Sequence, residues 1–144
     1  ELRPDDGISA PEEANEYMRR VMRHVLELRD DASKKQQQDL LNQAIEYINT
    51  HYHEESISLD KVAKEVNVSP NYFSAIFSQE VGMTFIEYLT NKRIERAKYL
   101  LRHTDRRSGE IAFSVGYRDP HYFSFVFKKV TGITPSEYRK GVDQ

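Results

Sequence analysis

Ser69–Tyr88 (SPNYFSAIFSQEVGMTFIEY) and Asp119–Tyr138 (DPHYFSFVFKKVTGITPSEY) are two copies of one sequence pattern, and they decide the fold. Nine of the 20 aligned positions are identical. A chain with only two copies cannot build a solenoid, which needs at least three stacked repeats. We therefore interpret the copies as two sister subdomains.

The first copy and the residues before it predict two helices joined by a tight turn. Ser58 is a candidate N-cap, and the apolar residues that follow have helical spacing: Leu59, Val62, Ala63 and Val66. Asn67 can adopt the left-handed conformation that ends a helix. Ser69 then caps a second helix with Pro70 at its first position. The buried face of this second helix is predicted to contain Tyr72, Phe73, Ile76 and Phe77.

The second copy repeats this design. Ser108 is the predicted cap of its first helix, Gly116 lies at the turn, and Asp119-Pro120 opens its second helix. The residues predicted to face inward are Ile111, Ala112, Val115, Tyr122, Phe123, Val126 and Phe127. A short helix, a turn of three to four residues and a second helix form a helix-turn-helix.

Three further helices complete the prediction of an all-α fold. Thr84 with Glu87 and Thr134 with Glu137 each match a capping box. The first box opens a long helix at about Thr84–Leu101, with apolar positions at Ile86, Leu89, Ile94, Ala97, Leu100 and Leu101. Gln36–Tyr52 is a further amphipathic helix. We expect seven helices between residues 36 and 140, with two helix-turn-helix subdomains joined by the long linker helix.

The N-terminal residues differ in kind from the rest. Glu1–Pro11 is predicted to be disordered or an interdomain linker, and Asp30–Gln38 to be a hinge or a solvated helical turn. Between them, apolar residues spaced by four and three indicate either the seam of a short coiled coil or one amphipathic helix packed on its own domain: Ala14, Met18, Val21, Val25, Leu28 and Ala32.

We therefore divide the chain into a linker and connector helix at 1–35 and a helix-turn-helix domain at 36–144. The first lobe covers about 36–83, the linker helix about 84–101 and the second lobe about 102–140. Since the first residue is Glu1 and not Met, we expect the chain to be part of a longer protein.

The net charge of −2 hides an uneven distribution. Residues 39–88 carry a sum of −6, whereas residues 89–140 carry +7. A positive half that contains a helix-turn-helix is typical of nucleic-acid binding.

Catalysis and membrane insertion find no support in the sequence. It contains no cysteine, which excludes disulfides and thiolate sites and fits a reducing, cytoplasmic compartment. His51 and His53 have no partner set for zinc, and no glycine-rich phosphate loop occurs. No apolar run could span a bilayer. We expect no enzyme activity, no metal or cofactor, and no small-molecule ligand in this part of the protein.

The outward faces of the second helices are the predicted base-contacting surfaces. Their candidate residues are Asn71, Ser74, Ala75, Gln79, His121, Ser124 and Phe125. Phe125 could press on a thymine methyl group or pack against a neighbouring helix. Helix starts and cations supply the candidate phosphate contacts: Thr84, Thr134, Lys92, Arg96, Lys128 and Lys129. Arg93 and Arg96 could instead bridge the lobes through Glu87 and Glu95.

The segment Arg107–Lys140, RSGEIAFSVGYRDPHYFSFVFKKVTGITPSEYRK, resembles the signature of the AraC/XylS family of bacterial transcription regulators. The resemblance covers about residues 36–140. It implies that two lobes insert their recognition helices into successive major-groove faces of double-stranded DNA. Arg is frequent in the family where Ala75 and Phe125 stand here, so the resemblance implies weaker guanine recognition at these positions.

The resemblance also suggests partners. Many family members activate transcription by recruiting RNA polymerase. The N-terminal helix is similar to the connector of response regulators in this family, which would place a phosphorylatable receiver domain before it, and its seam would allow a homodimer. A ligand-sensing domain, as in sugar-responsive members, is the alternative. A protein-interaction module without DNA binding is a second alternative, and flat salt dependence of binding would identify it.

Overall fold

The computed structural model describes residues 4–141, with side chains from residue 13 onward, and within them it is helical without a strand. The helices are α1 (Pro4–His51), α2 (Leu59–Glu65), α3 (Pro70–Val81), α4 (Phe85–His103), α5 (Ser108–Ser114), α6 (Pro120–Thr131) and α7 (Pro135–Arg139). This confirms the all-α prediction with two helix-turn-helix subdomains. No described helix has both the length and the apolar character needed to cross a bilayer.

Helix α1 is longer than the sequence pattern predicted. It runs for 48 residues, and the chain divides into two units between Leu40 and Leu41. The alternative that Glu1–Pro11 is disordered is wrong from Pro4 onward, whereas its being an interdomain linker stays a prediction, and Glu1–Arg3 lies outside the described residues. Over Asp30–Gln38 the chain is helical, which agrees with the alternative of a solvated helical turn. Strong helix formers fill residues 12–40, and an existing helix gains one hydrogen bond for each residue added.

The two recognition helices, α3 and α6, are each 12 residues long and begin in the same way. Ser69 Oγ accepts the Tyr72 N–H at 3.2 Å, and Asp119 Oδ1 accepts the His121 N–H at 2.9 Å. A proline at the first helical position follows each cap. These are the predicted starts of both helices.

Left-handed residues end the helices where the sequence placed them. Asn67 has φ of 60° at the turn of the first copy, and Gly116 has φ of 110° at the turn of the second. Gly82 and Gly132 end α3 and α6 with φ of 84° and 87°. Glycine adopts a positive φ at little energetic cost because it has no Cβ.

Four predicted positions need correction. Arg107 and not Ser108 is the N-cap of α5, and it makes no side-chain cap bond, so Ser108 is already helical. Tyr72 and Tyr122, predicted to face inward, are 45% and 56% exposed, because three other residues fill each core-facing stripe and a tyrosine hydroxyl prefers water. Ile86 of the long helix is 61% exposed.

Each lobe has an aromatic core built from equivalent residues of the two copies. Burying such rings removes a large apolar area from water, and edge-on packing adds to the stabilisation. The ring centroids lie 5.6–5.8 Å apart in the pairs Phe73–Phe77, Phe77–Tyr88, Phe123–Phe127 and Phe127–Tyr138. The sequence repeat is therefore a repeat of packing as well.

Arg93, in the middle of α4, joins the two lobes. Its side chain is buried, with Nε donating to the Tyr52 carbonyl at 2.8 Å and Nη2 donating to the Glu54 carbonyl at 2.9 Å. On the second lobe, its guanidinium carbon lies 5.1 Å from the centre of the Tyr117 ring. The predicted bridge is confirmed for Arg93, but its partners are backbone carbonyls and a ring, not Glu87 or Glu95.

The junction also needs the absence of a side chain at Gly116. A Cβ on Gly116 would lie 2.9 Å from three atoms of the Arg93 guanidinium. At the surface, Arg118 forms an ion pair with Glu55 of the first lobe. Burial raises the pKa of Tyr117, whereas the Arg93 cation acts in the opposite direction, so the phenol stays neutral beside Arg93 at physiological pH. Two adjacent turns, one from each lobe, thus meet around one guanidinium.

The predicted capping box at α7 is complete. Thr134 Oγ1 accepts the Glu137 N–H at 3.1 Å, and Glu137 Oε1 accepts the Thr134 N–H at 3.2 Å. At the start of α4 the structure shows one of the two capping-box hydrogen bonds, in which Thr84 Oγ1 accepts the Glu87 N–H at 3.1 Å. Hydrogen bonds from Thr134, first from its side chain and then from its backbone, lower the pKa of Glu137.

Gly116→Ala tests the junction, with Gly82→Ala as its matched control. Both glycines have a left-handed backbone, but a Cβ on Gly82 meets nothing within 4 Å. Gly82→Ala should lower the free energy of unfolding by about 1 kcal/mol, from backbone strain alone. Gly116→Ala should lower it by about 2–4 kcal/mol, because the guanidinium must also shift. Urea unfolding measures both, and equal losses would contradict the role of Gly116 as space for Arg93.

Glu137→Gln tests the capping box through pH. A lowered folded-state pKa stabilises the fold above the unfolded-state pKa of the carboxyl, and this stabilisation is lost as the pH falls through the folded-state value. The glutamine keeps an oxygen acceptor but does not titrate. As the pH falls from about 6 to about 3, the Tm of the wild type should therefore decrease more than the Tm of the variant. If the difference in Tm between the two proteins is the same at both pH values, the ionised form of Glu137 does not stabilise the start of α7.

Candidate DNA interface

The outer face of α3 presents the residues predicted to contact bases in the first lobe. Asn71, Ala75 and Gln79 are exposed and Ser74 is half-buried, while Phe73, Ile76 and Phe77 on the opposite face are buried. Asn71 and Gln79 carry amides that can pair with adenine in the major groove. The helix thus separates a polar outer face from an aromatic inner face.

The outer face of α6 differs in chemistry from that of α3. His121 and Phe125 are exposed, and Ser124 is half-buried. Phe125 remains 63% exposed, and its ring lies 6.5 Å from that of Tyr122 with the two planes 25° apart. An exposed pair of nearly parallel rings favours apolar contact with a thymine methyl group over amide or guanidinium hydrogen bonding.

A shallow groove runs beside this aromatic pair. Ile86 of α4 lines it together with four residues of α6: Tyr122, Phe125, Lys129 and Val130. The sequence left open whether Phe125 packs on a neighbouring helix. The described structure places it at the groove, with most of its surface in contact with water.

The predicted phosphate contacts are of two kinds, cationic side chains and the N-termini of helices. Lys128 and Lys129 are exposed in the last turn of α6, and Arg96 is exposed on α4 with its guanidinium 4.9 Å from the Tyr99 ring. Lys92 is half-buried on α4.

At the helix starts, the Thr134 N–H is not free as expected, since it donates to Glu137. The capping box itself is the reason, because the carboxylate occupies the place that a phosphate oxygen would take. Thr84 stands at the start of α4, a helix of 19 residues, and its hydroxyl accepts from Glu87.

Sequence reasoning missed the second-lobe side of the junction, namely Tyr117 and Arg118. It also gave Arg93 the wrong partners, although the spacing held a signal. Arg93 stands four residues after Leu89 and four before Ala97, so it shares the buried face of α4 with two apolar residues. Among residues 13–141 there is no cluster of His, Asp and Glu side chains suited to a metal ion.

Known families and structures match this arrangement. A family model described as a helix-turn-helix domain matches residues 62–141. The arabinose operon regulatory protein of Escherichia coli is 36% identical over 104 residues, which are 72% of this chain and 36% of that protein. The chain spans well under half of the length of the curated relatives it matches.

Two solved structures share the fold. The C-terminal domain of AraT, a response regulator from Geobacillus stearothermophilus, is 41% identical with a TM-score of 0.70, covering 73% of this chain and 87% of that one. The DNA-binding domain of AdpA, a global transcriptional factor crystallised with a target DNA, is 25% identical with a TM-score of 0.67, covering 70% and 90%. This chain belongs to the AraC-type helix-turn-helix family of DNA-binding transcription regulators.

Proposed function

We propose that this chain binds double-stranded DNA in a sequence-specific manner, with α3 and α6 in successive major-groove faces, and thereby regulates transcription. The observation that carries the proposal is the pair of 12-residue helices, each begun by a side-chain cap and a proline and each with an exposed polar or aromatic face, on one linker helix. The AdpA domain of the same fold is crystallised with its target DNA. We propose no catalytic role for the chain. As a regulator of bacterial genes, it would act in the cytoplasm.

The base contacts of the proposal come from the two outer faces: Asn71, Ser74, Ala75 and Gln79 on α3, and His121, Ser124 and Phe125 on α6. Thr84, Lys92, Arg96, Lys128 and Lys129 contact phosphates, with the second lobe supplying most of the attraction because residues 89–140 carry +7. Thr134 would contribute only where a phosphate displaces Glu137 from its N–H.

The chain is proposed to be the output part of a response regulator, with residues 1–35 as connector and 36–144 as the DNA-binding domain. The AraT domain, which belongs to a response regulator, supports this. A sugar-responsive regulator is the alternative, supported by the match to the arabinose regulator. In either case we propose activation through contact with RNA polymerase, as in many members of the family.

A homodimer through α1 is part of the same proposal. Within residues 13–40, the side chains of the heptad seam lie exposed, from 40% for Val21 to 55% for Met18 and Leu28. Exposed apolar side chains repeating every 3.5 residues favour pairing with a second helix of the same kind. A second copy of this chain supplies one.

The base-contact prediction compares alanine substitutions on the two faces. His121→Ala and Asn71→Ala should each weaken binding by about 1–3 kcal/mol at the preferred site and relax base preference at one position. Lys129→Ala is the control: it should weaken all sequences alike and reduce the log–log salt slope by about 0.9. Fluorescence anisotropy on duplexes selected from a random pool measures these effects. Flat salt dependence would favour a protein-interaction module instead.

The dimer prediction compares glutamate substitutions at seam positions of α1 with glutamate substitutions outside the seam. Val21→Glu with Val25→Glu should convert a dimer into a monomer in sedimentation velocity, because two carboxylates would be buried at the seam. Arg19→Glu with Arg23→Glu, on the flank of the same helix, should leave the dimer intact. A wild-type chain that stays monomeric at every concentration would overturn this part of the proposal.

A further inference from the structure

Three parts of the fold meet at Arg93. The residue belongs to α4, and its two donors bind the carbonyls of Tyr52 and Glu54 in the turn between α1 and α2. Its guanidinium carbon lies 5.1 Å from the ring centre of Tyr117 in the turn between α5 and α6. Each lobe also has its own aromatic core at one end of α4. Arg93 is therefore the point where a turn of the first lobe is held against a turn of the second.

The geometry requires a guanidinium and not merely a positive charge. A guanidinium can donate to two carbonyls from two different nitrogens while its carbon stays beside an aromatic ring, whereas an ammonium has all its donors on one nitrogen. Arg93 is 8% exposed, and without it the half-buried Tyr52 carbonyl would lose the hydrogen bond from Nε, whereas the Glu54 carbonyl would keep only the one from the Ile57 N–H. Gly116 supplies the room, since any Cβ there would touch the guanidinium.

The turn that Arg93 holds leads directly into a recognition helix. Tyr117 is three residues before Pro120, where α6 begins, and Asp119 between them is its N-cap. Tyr52 and Glu54 lead to Ser58, the N-cap of α2, which packs on α3. The Arg118–Glu55 ion pair joins the same two turns at the surface.

We propose that Arg93 is the positioning residue that fixes α3 relative to α6, and so sets the base-pair spacing between the two half-sites that the chain accepts. Arg93 is buried and contacts no DNA itself; it acts through Tyr117 and the α1–α2 turn. This inference rests on the proposed two-lobe DNA binding. A purely structural Arg93 would affect binding equally at every spacing, whereas a positioning Arg93 decides which spacing binds best.

The first experiment measures the geometry without DNA. Because the chain has no cysteine, Glu80→Cys and Val130→Cys place one spin label on α3 and one on α6, at equivalent exposed positions of the two copies. With the labelled chain diluted in an excess of unlabelled chain, so that a dimer carries only one labelled copy, double electron–electron resonance should give one narrow distance distribution in the Arg93 background. In an Arg93→Met background, which keeps an apolar stem but no donors, the width should increase about twofold or more. An unchanged width would overturn the proposal.

The second experiment measures spacing on DNA. A bipartite site is selected by the wild-type chain from random duplexes and then lengthened between its halves. Wild-type affinity should fall by about 100-fold at a half-turn insertion, because both lobes cannot then engage. Arg93→Met should bind the selected site about tenfold more weakly and lose less than about threefold on inserting one or two base pairs. A uniform loss with the wild-type spacing profile would make Arg93 merely structural and overturn the proposal.

Two controls keep the outcomes distinct. Arg96→Met makes the same substitution three residues along α4 and should weaken all spacings alike while keeping the narrow distance distribution. Arg93→Lys replaces Arg93→Met in both experiments if circular dichroism shows that the methionine variant has lost its helices. If the wild-type chain selects no bipartite site, the proposed two-lobe binding fails, while the spin-label distances still report on Arg93.

Discussion

The arrangement of the two lobes depends on one buried guanidinium. Arg93 lies inside the molecule only because its donors bind two backbone carbonyls and its guanidinium carbon lies over the Tyr117 ring. A buried cation without such partners would be strongly destabilising. This requirement explains the glycine at position 116 and the close approach of one turn from each lobe.

Duplication supplies the rest of the architecture. Equivalent caps, left-handed glycines and aromatic pairs recur in both copies, so each recognition helix begins, ends and packs in the same way. The outer faces are free to differ because they do not contribute to the cores. The amides lie on α3, whereas the exposed aromatic pair and two lysines lie on α6. In each recognition helix, the residues that anchor the helix to its core are thus distinct from the residues on its exposed outer face.

The uneven charge gives the two lobes different tasks in the proposed DNA complex. The +7 of residues 89–140 would draw the second lobe to phosphates, while the −6 of residues 39–88 would oppose such non-specific attraction. The first lobe then depends on hydrogen bonds from Asn71 and Gln79. At Thr134 the local chemistry works against phosphate contact, because the capping box already uses the N–H.

The sequence by itself determined the two recognition helices with their caps and the repeat, because these follow from neighbours three or four residues apart along the chain. It also placed Asn71, Gln79, His121 and Phe125 outside the core-facing stripe, where the structure exposes them. Only the tertiary structure showed that α1 continues through Asp30–Gln38 and that Tyr72 and Tyr122 remain exposed. It alone identified the partners of Arg93, which lie 39–41 residues away in sequence on one side. Contacts at such separations are made by packing and carry no periodic signal in the chain.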